Sequence, residues 1–183
     1  MVDDNRKTGR RIFVSYSHAD IDRWCRLKTH LKPLERADHV SVWDDECLNP
    51  GDEWEKRLKE KISECDVFLA LLSADFNTSD SCSKECDEAL ARVQKGEQLT
   101  IIPVLLRECA WEKTNLGTFQ MITDDGRPLT KADNNLDWAG TLLCRKLGAY
   151  FQTLPEAPQP SSYPDLPPKE QLRDFAWSLL GLQ

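Results

Sequence analysis

The sequence predicts an α/β fold in which helices cover both faces of a central parallel sheet. Short apolar runs bounded by polar residues or turn formers are typical of buried strands, and the chain has four: RIFVSYS (11–17), HVSVW (39–43), DVFLALLS (66–73) and LTIIPVLL (99–106). Segments with helical periodicity separate these runs, which is typical of a parallel sheet with both faces buried. The alternation predicts a flavodoxin-like three-layer sandwich with four to five strands.

Four segments carry apolar residues at helical spacing, namely 20–37, 52–64, 80–95 and 134–152. We expect Pro33 to kink or tighten the last turns of the first helix. The buried side of the last helix is predicted to consist of Trp138, Leu142, Leu143, Leu147, Tyr150 and Phe151. Between the fourth strand and this helix, residues 107–133 contain turn formers and one candidate short strand, FQMI (119–122).

Composition divides the chain into four parts. Residues 1–9 are predicted to be a tail, 10–152 the folded domain, 153–168 a stiff proline-rich linker, and 169–183 a short helix that docks or begins a further, truncated domain. A net charge of −7 argues against a general polyanion binder, because nucleic-acid affinity rests on Lys and Arg. The basic stretch RKTGRR (6–11) is read as a solvated tail, with a local basic patch as the alternative.

The longest apolar runs are too short to span a bilayer, so we expect no membrane partner. The seven cysteines contain no CxxC pair, and none of the three histidines lies near Cys82 and Cys86, so no metal site is predicted. An odd cysteine count without a secretory leader favours reduced thiols and a cytoplasmic location. The absence of a GxGxxG or P-loop motif argues against a dinucleotide-binding or NTPase fold.

Candidate site residues follow the strands, because ligands bind at the carboxyl ends of parallel strands. The sequence places hydroxyls, carboxylates and indoles there, which suits a sugar-like ligand with an aromatic ring: Ser15, Tyr16, Ser17, Asp44, Ser73 and Trp111. In NPGDEWE (49–55), Pro50-Gly51 makes a turn, and Asp52 with Glu55 resembles a helix-capping box. Trp54 is predicted to be a core residue.

The third helix carries two glutamates that spacing distinguishes. The helix is capped by Ser79 or Asp80, and its apolar stripe contains Cys82, Cys86, Ala89, Leu90 and Val93. Glu88 has Arg92 four residues on, which predicts a surface ion pair. Glu85 lies at the border of the stripe with Ala89 at the same spacing. Spacing alone therefore predicts no structural partner for Glu85, and leaves open whether it is catalytic.

In this order, RIFVSYSHAD, VWDDECLNPGDEWEKRLKEKISECDVFLALLSADF, SCSKECDEAL and IIPVLL resemble the Toll/interleukin-1 receptor (TIR) domain in its bacterial form, over residues 10–152. FVSYS corresponds to the family's box 1. Asn49, Pro50, Gly51 and Asp52 fall in its BB loop, which the resemblance implicates in self-association.

The resemblance implies two classes of function. Many TIR domains cleave NAD⁺ at the nicotinamide–ribose bond with a glutamate of the third helix, and that motif falls here on Ser81, Cys82 and Glu85. Glu85 is then the catalytic residue, Trp111 stacks on nicotinamide, and Ser15, Tyr16, Ser17, Asp44, Ser73 and Cys82 line the substrate site. NAD⁺ is the substrate, and neither a cofactor nor a metal is implied.

Implied partners are further TIR domains and a sensor domain or partner protein, as in a bacterial antiphage effector activated by self-assembly. The alternative is a non-catalytic TIR interaction module, such as a mimic of host adaptors. The sequence leaves the product, linear or cyclic ADP-ribose, open.

Overall fold

A computed structural model of the protein describes residues 9–44, 54–122, 126–130 and 135–154. Four parallel strands form one sheet in the order β2-β1-β3-β4. The elements, in chain order, are β1 (Arg10–Ser15), α1 (Ile21–Arg36), β2 (Val40–Trp43), α2 (Trp54–Glu64), β3 (Val67–Leu72), α3 (Ala74–Thr78), α4 (Asp80–Gln94), β4 (Thr100–Leu105) and α5 (Leu136–Thr153). The predicted flavodoxin-like α/β architecture is confirmed; three strands lie within their predicted runs, and β1 begins one residue before its run, at Arg10.

Alternation along the strands divides the core into two halves. Val14, Leu69 and Val104 point to one face, which α1 and α5 cover with Trp24, Leu27, Leu31, Ala139, Leu143 and Leu147. Phe13 and Phe68 point to the other face, which α2, α3 and α4 cover with Leu58, Ile62, Phe76, Cys82, Cys86 and Ala89. Side chains of opposite parity along one strand therefore belong to opposite faces of the sheet. We call these the α1/α5 face and the α2/α4 face.

Helices α1 and α5 approach each other closely at Gly140. A Cβ placed on Gly140 would lie 2.4 Å from Cδ2 of the His30 ring, so the absence of a side chain permits the contact. Pro33 is accommodated inside α1, and the chain leaves the helix through Asp38, whose φ of 53° is left-handed. The Asp38 amide donates to the Glu35 carbonyl and the His39 amide to that of Leu34, which satisfies carbonyls at the helix end.

Three local expectations are wrong. Helix α3, which lies outside the four predicted helical segments, begins where the Ser73 hydroxyl accepts from the amide of Phe76 at 3.0 Å. The described residues 119–122 form no strand; instead the amides of Ile122 and Leu129 donate to carbonyls of β4. Trp138, predicted to be buried, is 42% exposed. The buried stripe of α5 is centred on Ala139 and Leu143, which turns Trp138 toward the edge of the stripe.

Several predictions concern segments outside the described residues: most of the tail, Asp52 and the rest of the loop 45–53, nearly all of the linker and the C-terminal helix. Across the described ranges, no helix combines the length and apolar character needed to cross a membrane.

Candidate functional site

The strand order places a topological switch point between β1 and β3. From β1 the chain crosses to β2 on one side, and β3 and β4 follow on the other. In open parallel sheets a crevice forms at this point, beyond the carboxyl ends of the strands. Ser15 ends β1 and is in register with Ala70 of β3, and Ser73 directly follows β3. Both serines predicted from sequence therefore lie at the switch point.

Glu85 of α4 reaches the carboxyl end of β1. Its Oε2 accepts a 2.5 Å hydrogen bond from the Ser15 hydroxyl, and its Oε1 accepts one of 3.1 Å from the Ser81 hydroxyl. The carboxylate is buried, with 6% of the residue exposed. Serine hydroxyls are neutral donors, so these two bonds orient the Glu85 side chain from two different elements. The prediction that Glu85 lacks structural partners is wrong, since Ser81 stands one helical turn before it, at i−4.

Helix α4 begins where the sequence allows. Ser79, one of the two predicted caps, accepts from the amide of Cys82 at 3.3 Å. Cys82 and Cys86 face the core of the α2/α4 side. Burial is the main cause of the raised pKa of the Cys86 thiol, and the charges of Cys82 and then Glu85 add to it. Both cysteines therefore pack the helix that carries Glu85.

Arg92 does not form the predicted ion pair with Glu88. Its side chain turns inward, and Nη1 donates to the carbonyls of Ile62 at 2.6 Å and Cys65 at 2.9 Å, while Nε donates to Glu97 at 2.8 Å. Arg92 thus donates to carbonyls at the end of α2, where the last carbonyls of a helix have no partner within it. These buried bonds stabilise the fold more than an exposed ion pair along one helix would. Glu88 stays partly exposed on α4.

Trp111 shares the α2/α4 face with Glu85. It begins a short 3₁₀ turn, Trp111–Lys113, after β4, and it packs, partly buried, against the core of that face. The Trp111 carbonyl accepts from the hydroxyl of Thr114 at 2.7 Å, which holds the turn. An indole, a carboxylate and a serine hydroxyl thus lie on one side of the sheet's carboxyl edge.

The remaining predicted residues lie on the α1/α5 face. Tyr16 is in the core of that face, and Ser17 is buried and caps the turn His18–Asp20. Asp44 is fully buried against α1, where its Oδ2 accepts from Trp24 Nε1 at 2.6 Å and from Lys28 Nζ at 2.7 Å. The sheet therefore separates Asp44 and Tyr16 from Glu85.

Sequence reasoning missed a charged cluster on that face. Asp20, fully buried, accepts two bonds from Arg107, at 2.7 and 3.0 Å, and one of 2.6 Å from the Ser73 hydroxyl. Arg107 also donates to Asp75. The hydrogen bond to Asp20, followed by that to Asp75, raises the pKa of Arg107. The cluster joins the start of α1 to the ends of β3 and β4.

The described cysteines are free thiols: Cys25, Cys65, Cys82, Cys86, Cys109 and Cys144. Within residues 9–44, 54–122, 126–130 and 135–154, no group of three His, Cys, Asp or Glu side chains could hold a metal ion.

The chain is similar to a curated protein, to a solved structure and to a family model. The chain is 34% identical over 121 residues to the uncharacterized protein y4lF of Sinorhizobium fredii (strain NBRC 101917 / NGR234), an alignment that covers 66% of the chain but only 37% of that relative's length. It is also similar to the crystal structure of the TIR domain of the Toll-related receptor TRR-2 from Hydra magnipapillata. That similarity has a TM-score of 0.48 and 22% identity, and covers 60% of this chain and 80% of that one. The family model described as TIR domain matches residues 12–137, and the chain therefore belongs to the TIR domain family.

Proposed function

We propose that this TIR domain is an NAD⁺ glycohydrolase or ADP-ribosyl cyclase that breaks the nicotinamide–ribose bond, with Glu85 as its catalytic residue. The single observation that carries the proposal is the carboxylate of Glu85, oriented by two serine hydroxyls at the switch point of the sheet. The TIR family includes NAD-cleaving members, and in those members the catalytic glutamate lies on the equivalent helix.

The reaction needs little from the protein beyond a placed negative charge. When the glycosidic C–N bond breaks, its electron pair goes to the pyridinium nitrogen, and nicotinamide leaves as a neutral molecule. The ribose carbon acquires oxocarbenium character, as in glycoside hydrolysis. Glu85 stabilises that positive charge and holds the ribose hydroxyls. Water, or a nucleophilic atom of the same ADP-ribose, then bonds to the ribose carbon and releases one proton.

Trp111 supports the proposal from the same face. Its indole lies after the carboxyl end of β4, partly buried, and an aromatic face of this size stacks favourably on a pyridinium ring. Tyr16, Ser17, Ser73, Asp44 and Cys82 remain predictions as substrate contacts. The arrangement assigns Asp44 and Tyr16 to the opposite face, so a role for them requires a ligand that extends across the edge of the sheet.

TIR domains typically associate with one another. We propose that self-association activates this one, through the loop that contains Asn49, Pro50, Gly51 and Asp52, and that the domain serves as effector of a bacterial antiphage system controlled by a sensor domain or partner. NAD⁺ is the substrate in this proposal, without a cofactor or a metal.

The test is incubation of concentrated protein with NAD⁺ under crowding conditions, with nicotinamide and ADP-ribose isomers separated by chromatography and mass. We expect release by the wild type and loss by Glu85→Ala. Glu88→Ala, on the same helix, is the matched control and should keep the wild-type rate. No release by the wild type would favour the non-catalytic interaction module. Release that survives Glu85→Ala but is lost in Glu88→Ala would assign the other carboxylate.

A further inference from the structure

Ser15 and Glu85 come from elements 70 residues apart in sequence, yet their side chains make a 2.5 Å hydrogen bond. Ser15 is the last residue of β1, a strand paired with β2 on one side and β3 on the other. Its own backbone is in register with Ala70 of β3, while the pairing with β2 ends at Phe13, and only 1% of the residue is exposed. Ser15 is thus a buried hydroxyl donor held by the central part of the sheet.

We propose that Ser15 is a positioning residue for the reaction, which acts through Glu85 and does not contact the substrate; the inference rests on the proposed NAD⁺ cleavage. A serine hydroxyl can donate one hydrogen bond, and here Ser15 donates it to Glu85. Because Ser15 is buried and its hydroxyl donates to Glu85, the substrate contact predicted for it from sequence would require that bond to break.

The two serines fix the carboxylate from different elements. Glutamate has several rotatable bonds, and the Ser81 hydroxyl on its own helix binds only one of the two carboxylate oxygens. Ser15 adds a second donor from the sheet, on the other oxygen. Two bonds from two rigid elements define both the position and the plane of the carboxylate. Charge-assisted bonds of this kind are the stronger class of hydrogen bond.

The position of a catalytic group affects the rate more than the binding of the ground state. A displacement of about 1 Å is enough to slow an enzyme roughly 100-fold. Loss of the Ser15 hydroxyl should therefore lower kcat and leave KM nearly unchanged, because the substrate contacts are made by other residues and remain. A residue with only a structural role would instead lower the fraction of folded protein and leave kcat per folded molecule unchanged.

The experiment measures kcat and KM for nicotinamide release by wild type, Ser15→Ala, Ser15→Thr and Thr100→Ala. Thr100→Ala is the control, because its hydroxyl accepts from Tyr150 at the start of β4, at the opposite edge of the sheet from the carboxyl ends of the strands. For Ser15→Ala we expect kcat to fall about 10- to 100-fold with KM within about threefold. Ser15→Thr, which keeps the hydroxyl, should recover most of the rate, and Thr100→Ala should match the wild type.

A crystal structure of Ser15→Ala gives a readout independent of activity, in which the Glu85 carboxylate should have rotated away from its wild-type position. An unmoved carboxylate, or a kcat equal to that of Thr100→Ala, would overturn the positioning role and leave the proposed function intact. A wild type that releases no nicotinamide would overturn the proposed function and this inference with it. The two failures are therefore distinguishable.

Discussion

The two faces of the sheet hold buried carboxylates at its carboxyl edge in different ways. On the α1/α5 face, Asp20 accepts from the guanidinium of Arg107, and Asp44 accepts from the ammonium of Lys28. On the α2/α4 face, Glu85 accepts from the hydroxyls of Ser15 and Ser81. The bonds of Asp20 and Asp44 join elements of the fold, whereas the two serine bonds orient the Glu85 carboxylate. The comparison predicts a structural role for the carboxylates of the α1/α5 face and, under the proposed function, a catalytic role for Glu85.

The largest effect on stability should come from Asp20→Ala. The change leaves the Ser73 hydroxyl without its acceptor and Arg107 without its bidentate partner. Removing one member of a buried ion pair is strongly destabilising, and we expect a loss of about 3 kcal/mol in the free energy of unfolding. Urea denaturation followed by circular dichroism measures it.

The matched control is Arg26→Ala, which breaks an exposed pair with Asp137. It should change the free energy of unfolding by at most about 0.5 kcal/mol. If Asp20→Ala cost no more than this control, the α1/α5 face would not have the structural role assigned to it.

A second prediction concerns pH and the core of the α2/α4 face. Burial raises the pKa of the Cys65 thiol to about 11, from the ordinary value of 9.0. The unfolded thiol ionises first as pH rises, so the unfolded state binds fewer protons and stability falls between about pH 9 and pH 11. The expected loss in the free energy of unfolding is about 2 kcal/mol at the upper end of that window, and there is no loss below pH 9.

Urea denaturation of wild type and Cys65→Ala at intervals from pH 8 to pH 11 isolates this contribution, because the other titrating groups are common to both proteins. The difference in the free energy of unfolding between the two should shrink as pH rises. A difference that is independent of pH would show that Cys65 ionises equally in both states.

A smaller effect should distinguish two tryptophans. Trp111→Leu keeps apolar bulk on the α2/α4 face but removes the stacking surface, and kcat/KM for NAD⁺ should fall about 10-fold. Trp138→Leu changes an exposed indole on α5 and should leave kcat/KM unchanged. Equal kcat/KM values for the two variants would exclude Trp111 from the substrate site.

The sheet could be predicted from the sequence, because an unbroken apolar run such as VFLALL indicates both a strand and its burial on two faces. Helix α4 and its Ser79 cap could be predicted as well, because the apolar spacing and the capping residue are both local signals. Helix α3 has only five residues, which is too short to show a helical period, so its only sequence signal was the cap at Ser73. Ser81 stands four residues before Glu85, a spacing at which helical side chains meet, so this partner had a local signal in the sequence.

Contacts between distant residues were not predictable. Arg107 and Asp20 are 87 residues apart, and nothing local marks either of them as a partner of the other. The same holds for Arg92, whose nearby Glu88 suggested a helix pair while carbonyls at the end of α2 provided the actual partners. By contrast, the opposite orientations of Tyr16 and Ser15 could be predicted from the sequence, since adjacent residues of a strand face opposite sides of the sheet.

The most direct test of the account is the rate of nicotinamide release by Glu85→Gln, an isosteric change, compared with wild type at equal folded fraction. We expect a loss of at least about 100-fold in a variant whose urea midpoint stays close to that of the wild type, because one serine hydroxyl can donate to the amide oxygen and the other can accept from the amide nitrogen. A rate within a few-fold of the wild type would contradict it, and would leave the edge of the α2/α4 face without a catalytic residue.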